Sequence, residues 1–325
     1  MTYAFQQLLD KVNERLDTLD YTHAPTNLYE PVKYILSLGG KRIRPVMMLM
    51  AYNLYKDDID SILDPAVAIE IYHNFTLLHD DLMDRADVRR GKPTVHKMWS
   101  DNTAILSGDV MLSLADKYMS RCDDRHLRRV MELFHQTSIE IAEGQQYDMD
   151  FETRNDVTEE EYIEMIRMKT SVLLACSLKI GAILGGASDE DANLLYQLGE
   201  SIGLAFQLRD DYLDVYGNPK VFGKKIGGDI LCNKKTYLYI NALRLSDTTQ
   251  RAELEHWERA TNIIPEEKIA AVTAIYNKVG IPELSRIAED KYYHKALDCC
   301  KRLSTSTEKK MVIRDFMASL MDRTN

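Results

Sequence analysis

An all-α architecture follows from three features of this sequence. Apolar residues recur at three- and four-residue spacings along nearly the whole chain, as amphipathic helices require. Period-two alternation bounded by hairpin turns is nearly absent. Glycine and proline are scarce, 15 and 8 in 325 residues, against averages of roughly 7% and 5%; long helices with few turns are expected.

Taken in order, the chain reads as a succession of helices with recognisable ends. The pattern begins within the first ten residues, in FQQLLDKVNERLDTL at 5–19. GGKRIRP at 39–45 sets two glycines before the apolar run VMMLMAYNLY, a turn leading into a helix. A longer helix is predicted over DPAVAIEIYHNFTLLHDDLMDRA at 64–86, with Asp64 before Pro65 as its N-cap signal. HLRRVMELFHQTSIEIAEGQQYDM at 126–149 repeats the helical spacing. So does the stretch 158–186, which opens on a capping box, Thr158 with Glu161 three residues on, and stops at a glycine pair. Ser188 before acidic residues starts the next helix, which carries FQLRDDYLD at 206–214 and ends at GNP, 217–219. Helical spacing persists to KKMVIRDFMASLMDR near the C-terminus. No Ser/Gly-rich linker or solenoid repeat interrupts the series, so a single domain over 1–325 is expected.

Composition narrows the partners. With 41 Lys and Arg against 51 Asp and Glu the net charge is −10, which argues against nucleic-acid binding, because phosphate backbones are met by basic surfaces. Any polyanion must be met by local positive charge. Five scattered cysteines lack the spacing of a zinc site or disulfide framework, consistent with a reducing cytoplasm. No uninterrupted apolar run approaches the roughly 18 residues of a membrane span, so a cytoplasmic protein without one is expected.

The unusual stretch is HDDLMD at 79–84, three aspartates placed directly after the apolar NFTLL. On a helix Asp80 and Asp84 lie about 40° apart and one turn along, with Asp81 about a quarter-turn away. Carboxylates that close repel and hold a proton unless a cation neutralises them. Asp210, Asp211 and Asp214 repeat the arrangement on another helix, again after an apolar stretch, IGLAFQL. One such motif is ordinarily a solvated helix face; two, each closing an apolar helix, point to a pocket. Facing each other they would form an oxygen-rich cradle suited to Mg²⁺, which takes its remaining ligands from water and substrate phosphates. Cations lie near both: GGKRIRP, RRGKP at 89–93, KT at 169–170 and FGKKIGGDILCNKKT at 222–236. Arg forks match phosphate oxygens in pairs and Lys supplies a point charge.

These motifs, with GQ at 144–145, closely resemble those of the trans-isoprenyl diphosphate synthases, the head-to-tail prenyltransferases that include farnesyl and geranylgeranyl diphosphate synthases. The match runs from about residue 28 to 240 in the family's order and spacing. The resemblance implies an isoprenoid synthase-type bundle of about ten core helices around a central cavity, usually as a homodimer. It assigns Asp80 and Asp84 as ligands of two Mg²⁺ ions with Asp81 in support, and Asp210 as ligand of a third with Asp211 and Asp214 in support. Lys41, Arg44, His73 and Arg90 match positions that hold the diphosphate of isopentenyl diphosphate. Arg89, Lys169, Lys224 and Lys234 match positions around the allylic diphosphate (dimethylallyl, geranyl or farnesyl), with Thr170 and Gln207 near the reacting carbons and leaving group. One departure is visible: Asn233 stands where the family commonly has Gly. No motif is assignable beyond about 245.

The implied reaction is ionisation of the allylic C–O bond, attack by the double bond of isopentenyl diphosphate and loss of a proton, lengthening the chain by five carbons. Phe75 and Thr76 lie roughly 6 to 8 Å below the acidic motif along its helix, where the family uses bulk to block the growing tail. One aromatic and one small residue there, without the two-residue insertion of common bacterial farnesyl synthases, resemble short-chain enzymes giving C20, with C15 next. Other readings compete. Glu-x-x-His occurs at 70–73, 132–135 and 253–256, the pattern of di-iron bundles, but that scheme leaves both aspartate triplets without a role. Terpene cyclases lack GGKRIRP and RRG. A catalytically idle partner subunit of a heteromeric prenyltransferase is expected to have lost one acidic motif, and both are intact.

Overall fold

The computed structural model describes residues 3–218 and 226–322, and these are almost entirely helical. The chain folds as two compact units, Met1–His135 with Cys176–Leu195 and Ser304–Val312, and Gln136–Ala175 with Tyr196–Leu303 and Ile313–Asn325.

In the first unit α1 (Phe5–Asp17), α2 (Thr26–Ser37) and α3 (Ile43–Asn53) precede a 3₁₀ turn, Ile59–Ile62, and the long α4 (Leu63–Met83). Asp64 does not cap α4. The helix starts at Leu63 with Ile62 in the N-cap position, two residues earlier than that signal predicts, and the Asp64 carboxylate instead accepts from Arg15 Nε at 2.7 Å and Arg121 Nη1 at 3.0 Å. Val67, Ala68, Ile69, Ile71 and Tyr72 are all buried, so α4 is surrounded along its first half. After α4 comes a two-stranded hairpin, β1 (Val88–Arg89) and β2 (Lys92–Pro93), then α5 (Val95–Met98) and α6 (Asp101–Met119), which packs along α4. The hairpin turn places Arg90 at φ 53° and Gly91 at φ 75°, the left-handed pair that a two-residue turn requires.

α7 (Asp124–Phe151), α9 (Val172–Gly185) and α10 (Asp189–Tyr216) each contribute residues to both units. α8 (Glu159–Ile166) opens on the expected capping box: Thr158 Oγ1 accepts from the Glu161 amide at 3.2 Å while Glu161 Oε2 accepts from the Thr158 amide at 2.9 Å. Ser188 caps α10 by accepting from the Asp191 amide at 3.1 Å. Between α8 and α9 the chain departs from the single helix its periodicity predicts, widening into a π turn over Arg167–Ser171. The whole stretch Glu159–Gly185 is long and apolar enough for a membrane span, but 83% of its most apolar window is buried within the protein, as in a core helix.

The C-terminal region, where no motif is assignable, supplies the second unit's core. Tyr162, Leu204, Leu208 and Val215 pack with Tyr237, Leu254, Val272, Ile275, Tyr276 and Ile281. The latter residues come from helices Tyr237–Leu245, Thr248–Arg259, Pro265–Lys278 and Ile281–Arg302. None of the five cysteines is in a disulfide.

Candidate active site

The first unit gathers one group of motif residues. At the mouth of α4, Asp80 is half-buried, Asp81 is buried, and Asp84 is the exposed C-cap, its amide donating to the Asp80 carbonyl at 2.9 Å. Arg89, on the hairpin, donates from Nε to Asp81 Oδ2 at 2.7 Å and approaches Asp80 Oδ2 at 3.9 Å. Arg89 therefore already lies against the acidic motif.

Beside it, the GGKRIRP loop runs through three positive-φ residues, Gly39 at 76°, Gly40 at 139° and Arg42 at 46°. Arg90 lies across this loop and donates to the Gly39 carbonyl. A Cβ at Gly40 would lie 2.9 Å from the Arg90 guanidinium, which would have to shift, and the φ of 139° itself favours glycine there. Lys41 is exposed, whereas Arg44 turns inward and its Nη1 meets His73 Nε2 at 3.2 Å. Burial pushes Arg44 down to about 10, opposed by the Glu70 carboxylate and reinforced by Arg90; it stays charged at neutral pH. Burial, then the Arg44 and Arg90 charges, hold His73 well below the usual histidine range, so it is neutral and accepts from Arg44. Arg44 Nε is buried with no protein partner. Arg44, His73 and Arg90 thus converge at this loop, with Lys41 on its exposed side, and anionic oxygens suit them.

Below the acidic motif, Phe75 stacks edge-on with His79 at 4.8 Å and lies 5.5 Å from Tyr72. The Thr76 hydroxyl donates to the His73 carbonyl at 2.8 Å.

The second unit gathers the rest. Lys169 and Thr170 sit on the π turn, a wide turn that often marks functional positions in helices. Gly144 of the GQ motif explains the approach of α7: a Cβ there would come 2.5 Å from the Lys169 amide nitrogen. Lys169 Nζ donates to Asp148 Oδ2 at 2.5 Å, and Thr170 Oγ1 reaches Gln207 Oε1 at 3.4 Å. Gln207 Nε2 in turn donates to Asp211 Oδ1 at 3.0 Å, and Tyr162 donates its hydroxyl to Asp211 Oδ2. Asp210 is half-buried one residue before. Asp214 accepts from the Asp229 amide of the short helix Gly228–Leu231 at 3.0 Å. A cavity here is bordered by Asp211, Asp229, Lys234, Lys268 and Tyr276. Lys224 lies outside the described residues.

Asn233 resolves its own oddity. It is in the left-handed region at φ 56°, where glycine is usual, and it closes the short helix Gly228–Leu231. The amide of Asn233 bonds the Ile230 carbonyl at 3.2 Å and that of Lys234 the Asp229 carbonyl at 3.0 Å, the paired bonds of a Schellman cap.

Among the described residues no group of three or more His, Cys, Asp or Glu side chains converges as an ion site. The Glu-x-x-His pairs do not form one either: Glu70 pairs with Arg42, and His135 with Asp116. The acidic residues nonetheless fit a hard cation that arrives with other oxygens. Burial and the neighbouring Asp229, with Asp210, push Asp211 up to about 7 against the opposing hydrogen bonds of Tyr162 and Gln207. Such crowded like charge is what a divalent ion relieves.

Asp229, Asp148, Tyr162 and Glu70 are partners of motif residues that sequence reasoning misses. Asp229 and Asp148 stand inside or beside quoted motifs, a usable signal, and Glu70 stands out only through the Glu-x-x-His pattern at 70–73, which points to the wrong partner; nothing local marks Tyr162.

An all-helical chain with two acidic helix mouths, each set among cations, is the class of protein that handles polyphosphorylated substrates. The Polyprenyl synthetase family model matches residues 25–279. The chain is 46% identical over 233 residues, 71% of its length and 72% of the other's, to a geranylgeranyl diphosphate synthase of Methanosarcina mazei. It is 42% identical over 250 residues, 77% and 76% of the two chains, to a short chain isoprenyl diphosphate synthase of Methanocaldococcus jannaschii. A crystal structure of a geranylgeranyl pyrophosphate synthase superposes with TM-score 0.94 at 42% identity, covering 100% of both chains. The chain belongs to the polyprenyl synthetase family, the trans-isoprenyl diphosphate synthases, and is a prenyltransferase.

Proposed function

We propose that the protein is a short-chain trans-prenyltransferase that condenses isopentenyl diphosphate with an allylic diphosphate, releases diphosphate and yields geranylgeranyl diphosphate (C20), with farnesyl diphosphate (C15) as the shorter product. The observation that carries this reading is the occurrence of two aspartate triplets, each ending an apolar helix and each accompanied by cationic side chains. The relatives' names support the product class.

In this reading Lys41, Arg44, Arg90 and neutral His73 hold the diphosphate of the homoallylic acceptor. Arg89, Lys169 and Lys234 bind the allylic diphosphate, and Lys224 completes the set. Asp80, Asp84 and Asp210 hold Mg²⁺, three ions per site in the family resemblance, with Asp81, Asp211 and Asp214 in support. Bound divalent metal neutralises charge on the departing diphosphate. The protein's cations stabilise the same charge, and because they are held before reaction they add no reorganisation when the allylic C–O bond breaks. Thr170 and Gln207 border the reacting carbons. The acceptor's double bond then attacks, and the proton lost leaves with the diphosphate. No protein nucleophile is needed.

We also take the chain to work as a single domain, as a homodimer in the cytoplasm, with neither nucleic acid nor a membrane span. The family model's span across residues of both units supports the first, and the burial of Glu159–Gly185 the last.

The test is to incubate the protein with Mg²⁺, isopentenyl diphosphate and dimethylallyl, geranyl or farnesyl diphosphate in turn, sizing products chromatographically. A C20 product with diphosphate release is expected. Absence of any longer product would leave the idle-subunit reading standing. Asp80→Ala and Asp210→Ala should each lower turnover by orders of magnitude, roughly 10²-fold or more, with helicity by circular dichroism retained. Near-normal rates in either variant would refute the metal assignment.

A further inference from the structure

We propose that Arg42 and Glu70 are positioning residues for the isopentenyl diphosphate subsite, a buried ion pair that locks the GGKRIRP loop onto α4; the inference rests on the assignment of Lys41, Arg44, His73 and Arg90 to that subsite. Arg42 lies inside a cationic motif, yet the residue is only 6% exposed. Its Nη1 donates to Glu70 Oε1 at 2.7 Å and its Nη2 to the Leu36 carbonyl at 2.7 Å, with Asn13 Oδ1 at 3.5 Å from Nε. Glu70, 2% exposed, also accepts from Asn74 Nδ2 at 3.0 Å. One guanidinium therefore ties the end of α2, the loop and α4 together.

The loop needs such a tie. Three of its four residues from Gly39 to Arg42 have positive φ, so regular helical hydrogen bonds do not fix it. Arg42 is itself the left-handed N-cap of α3, and its side chain makes no capping bond. The anchoring comes from the inward guanidinium. One turn along α4 from Glu70, His73 meets Arg44, so the same helix that receives Arg42 also receives the ligand-facing Arg44. Pinning Arg42 to Glu70 sets the register of both.

Charge gives Glu70 a second task. Arg42, Arg44 and Arg90 crowd one corner with neutral His73, and without a bound diphosphate they repel one another. Glu70 favours the charged forms of Arg44 and Arg90 alike. It is a permanent counter-ion that keeps the cluster assembled before substrate arrives. Stability alone is a poor reason for the pair, since buried ion pairs replaced by apolar residues of similar size are often no less stable. Specifying one loop conformation is the better reason.

The experiment measures steady-state kinetics and thermal unfolding of Glu70→Gln, Arg42→Met and the double variant Arg42→Met/Glu70→Met, with Lys41→Ala as the control for the subsite. KM for isopentenyl diphosphate should rise about tenfold or more in each of the three pair variants, while kcat and the allylic KM stay within about twofold. The double variant should recover melting temperature over the singles without recovering KM, which a merely structural pair does not do. A folded double variant with ordinary KM overturns the proposal, as does a joint loss of kcat and both KM values. Should either single variant fail to fold, the double variant decides alone. If Lys41→Ala raises KM for isopentenyl diphosphate and the pair variants do not, only the positioning role falls. If Lys41→Ala also leaves it unchanged, the subsite assignment falls with it.

Discussion

Asn233 carries a conformation that glycine ordinarily takes, and its side chain recovers what the backbone gives up. Asparagine tolerates the left-handed region better than other side chains, though less well than glycine. Here Nδ2 donates to the Glu258 carbonyl at 3.1 Å and Oδ1 accepts from Lys268 Nζ at 2.5 Å. Lys268 is 3% exposed, and burial lowers its pKa from the ordinary lysine value, so a lost partner is not readily replaced by water. Asn233→Gly relieves the backbone and deletes both bonds, one of them to a buried cation. The net expectation is a loss of about 1–2 kcal/mol in urea unfolding, and Asn233→Ala should lose about 1–2 kcal/mol more, for lack of both the bonds and the left-handed tolerance. A glycine variant as stable as the parent would show that the side-chain bonds contribute nothing. Because Lys234 is the next residue, the cap also sets where that cation starts.

At the scale of the element, α4 joins two tasks by its length. Its first half is enclosed by the core, so its axis is fixed by packing, and its last turn carries the carboxylates. Phe75 lies between these parts with its ring held by Tyr72 below and His79 above, both on the same helix. His79 is itself pinned to α6, meeting the Ile105 carbonyl at 3.2 Å. On the proposed reading, a ring so held would be a stiff stop for a growing hydrocarbon. Phe75→Ala should shift the product spectrum to longer chains by one or more five-carbon units, read by chromatography of the dephosphorylated prenols. An unchanged spectrum would move the pocket floor elsewhere. The variant also loses aromatic packing, about 3–5 kcal/mol for a fully buried ring and less for this half-buried one, so the assay belongs well below the unfolding temperature. The π turn is the other irregular element: it sets Lys169 and Thr170 out of the regular helical register, toward Asp148 and Gln207.

At the scale of the whole molecule, the C-terminal helices build no motif of their own but complete the core beneath the second acidic triplet, with Leu254, Val272 and Tyr276 buried there. Truncation near residue 245 would therefore remove a supporting layer as well as a tail. The surface carries large apolar side chains of the kind that subunit contacts cover, among them the adjacent Ile105 and Leu106 of α6, 43% and 58% exposed. Together with the family resemblance they support the homodimer. Sedimentation velocity should give about twice the 37.4 kDa chain mass at micromolar concentration; a single monomer boundary would reject it.

Much of this protein is legible along the chain because much of its chemistry is local. Helical periodicity, the Thr158 and Ser188 caps and the two aspartate triplets depend on residues three or four positions apart, and helix geometry converts that spacing directly into a shared face. The Asp64 signal misleads because a preceding 3₁₀ turn and two distant arginines compete for the same position. Other features have no local cause. The Arg42 partner is Glu70, the Lys169 partner is Asp148, the Asp211 partner is Tyr162 and the Asn233 partner is Lys268. Each pair joins residues remote in sequence, and each is chosen by packing: a charged or polar group taken out of water must find a partner among whatever side chains the fold brings near. The identity of the acidic and basic groups was therefore written in the amino-acid order, while their pairing, burial and protonation arose only when the helices closed around them.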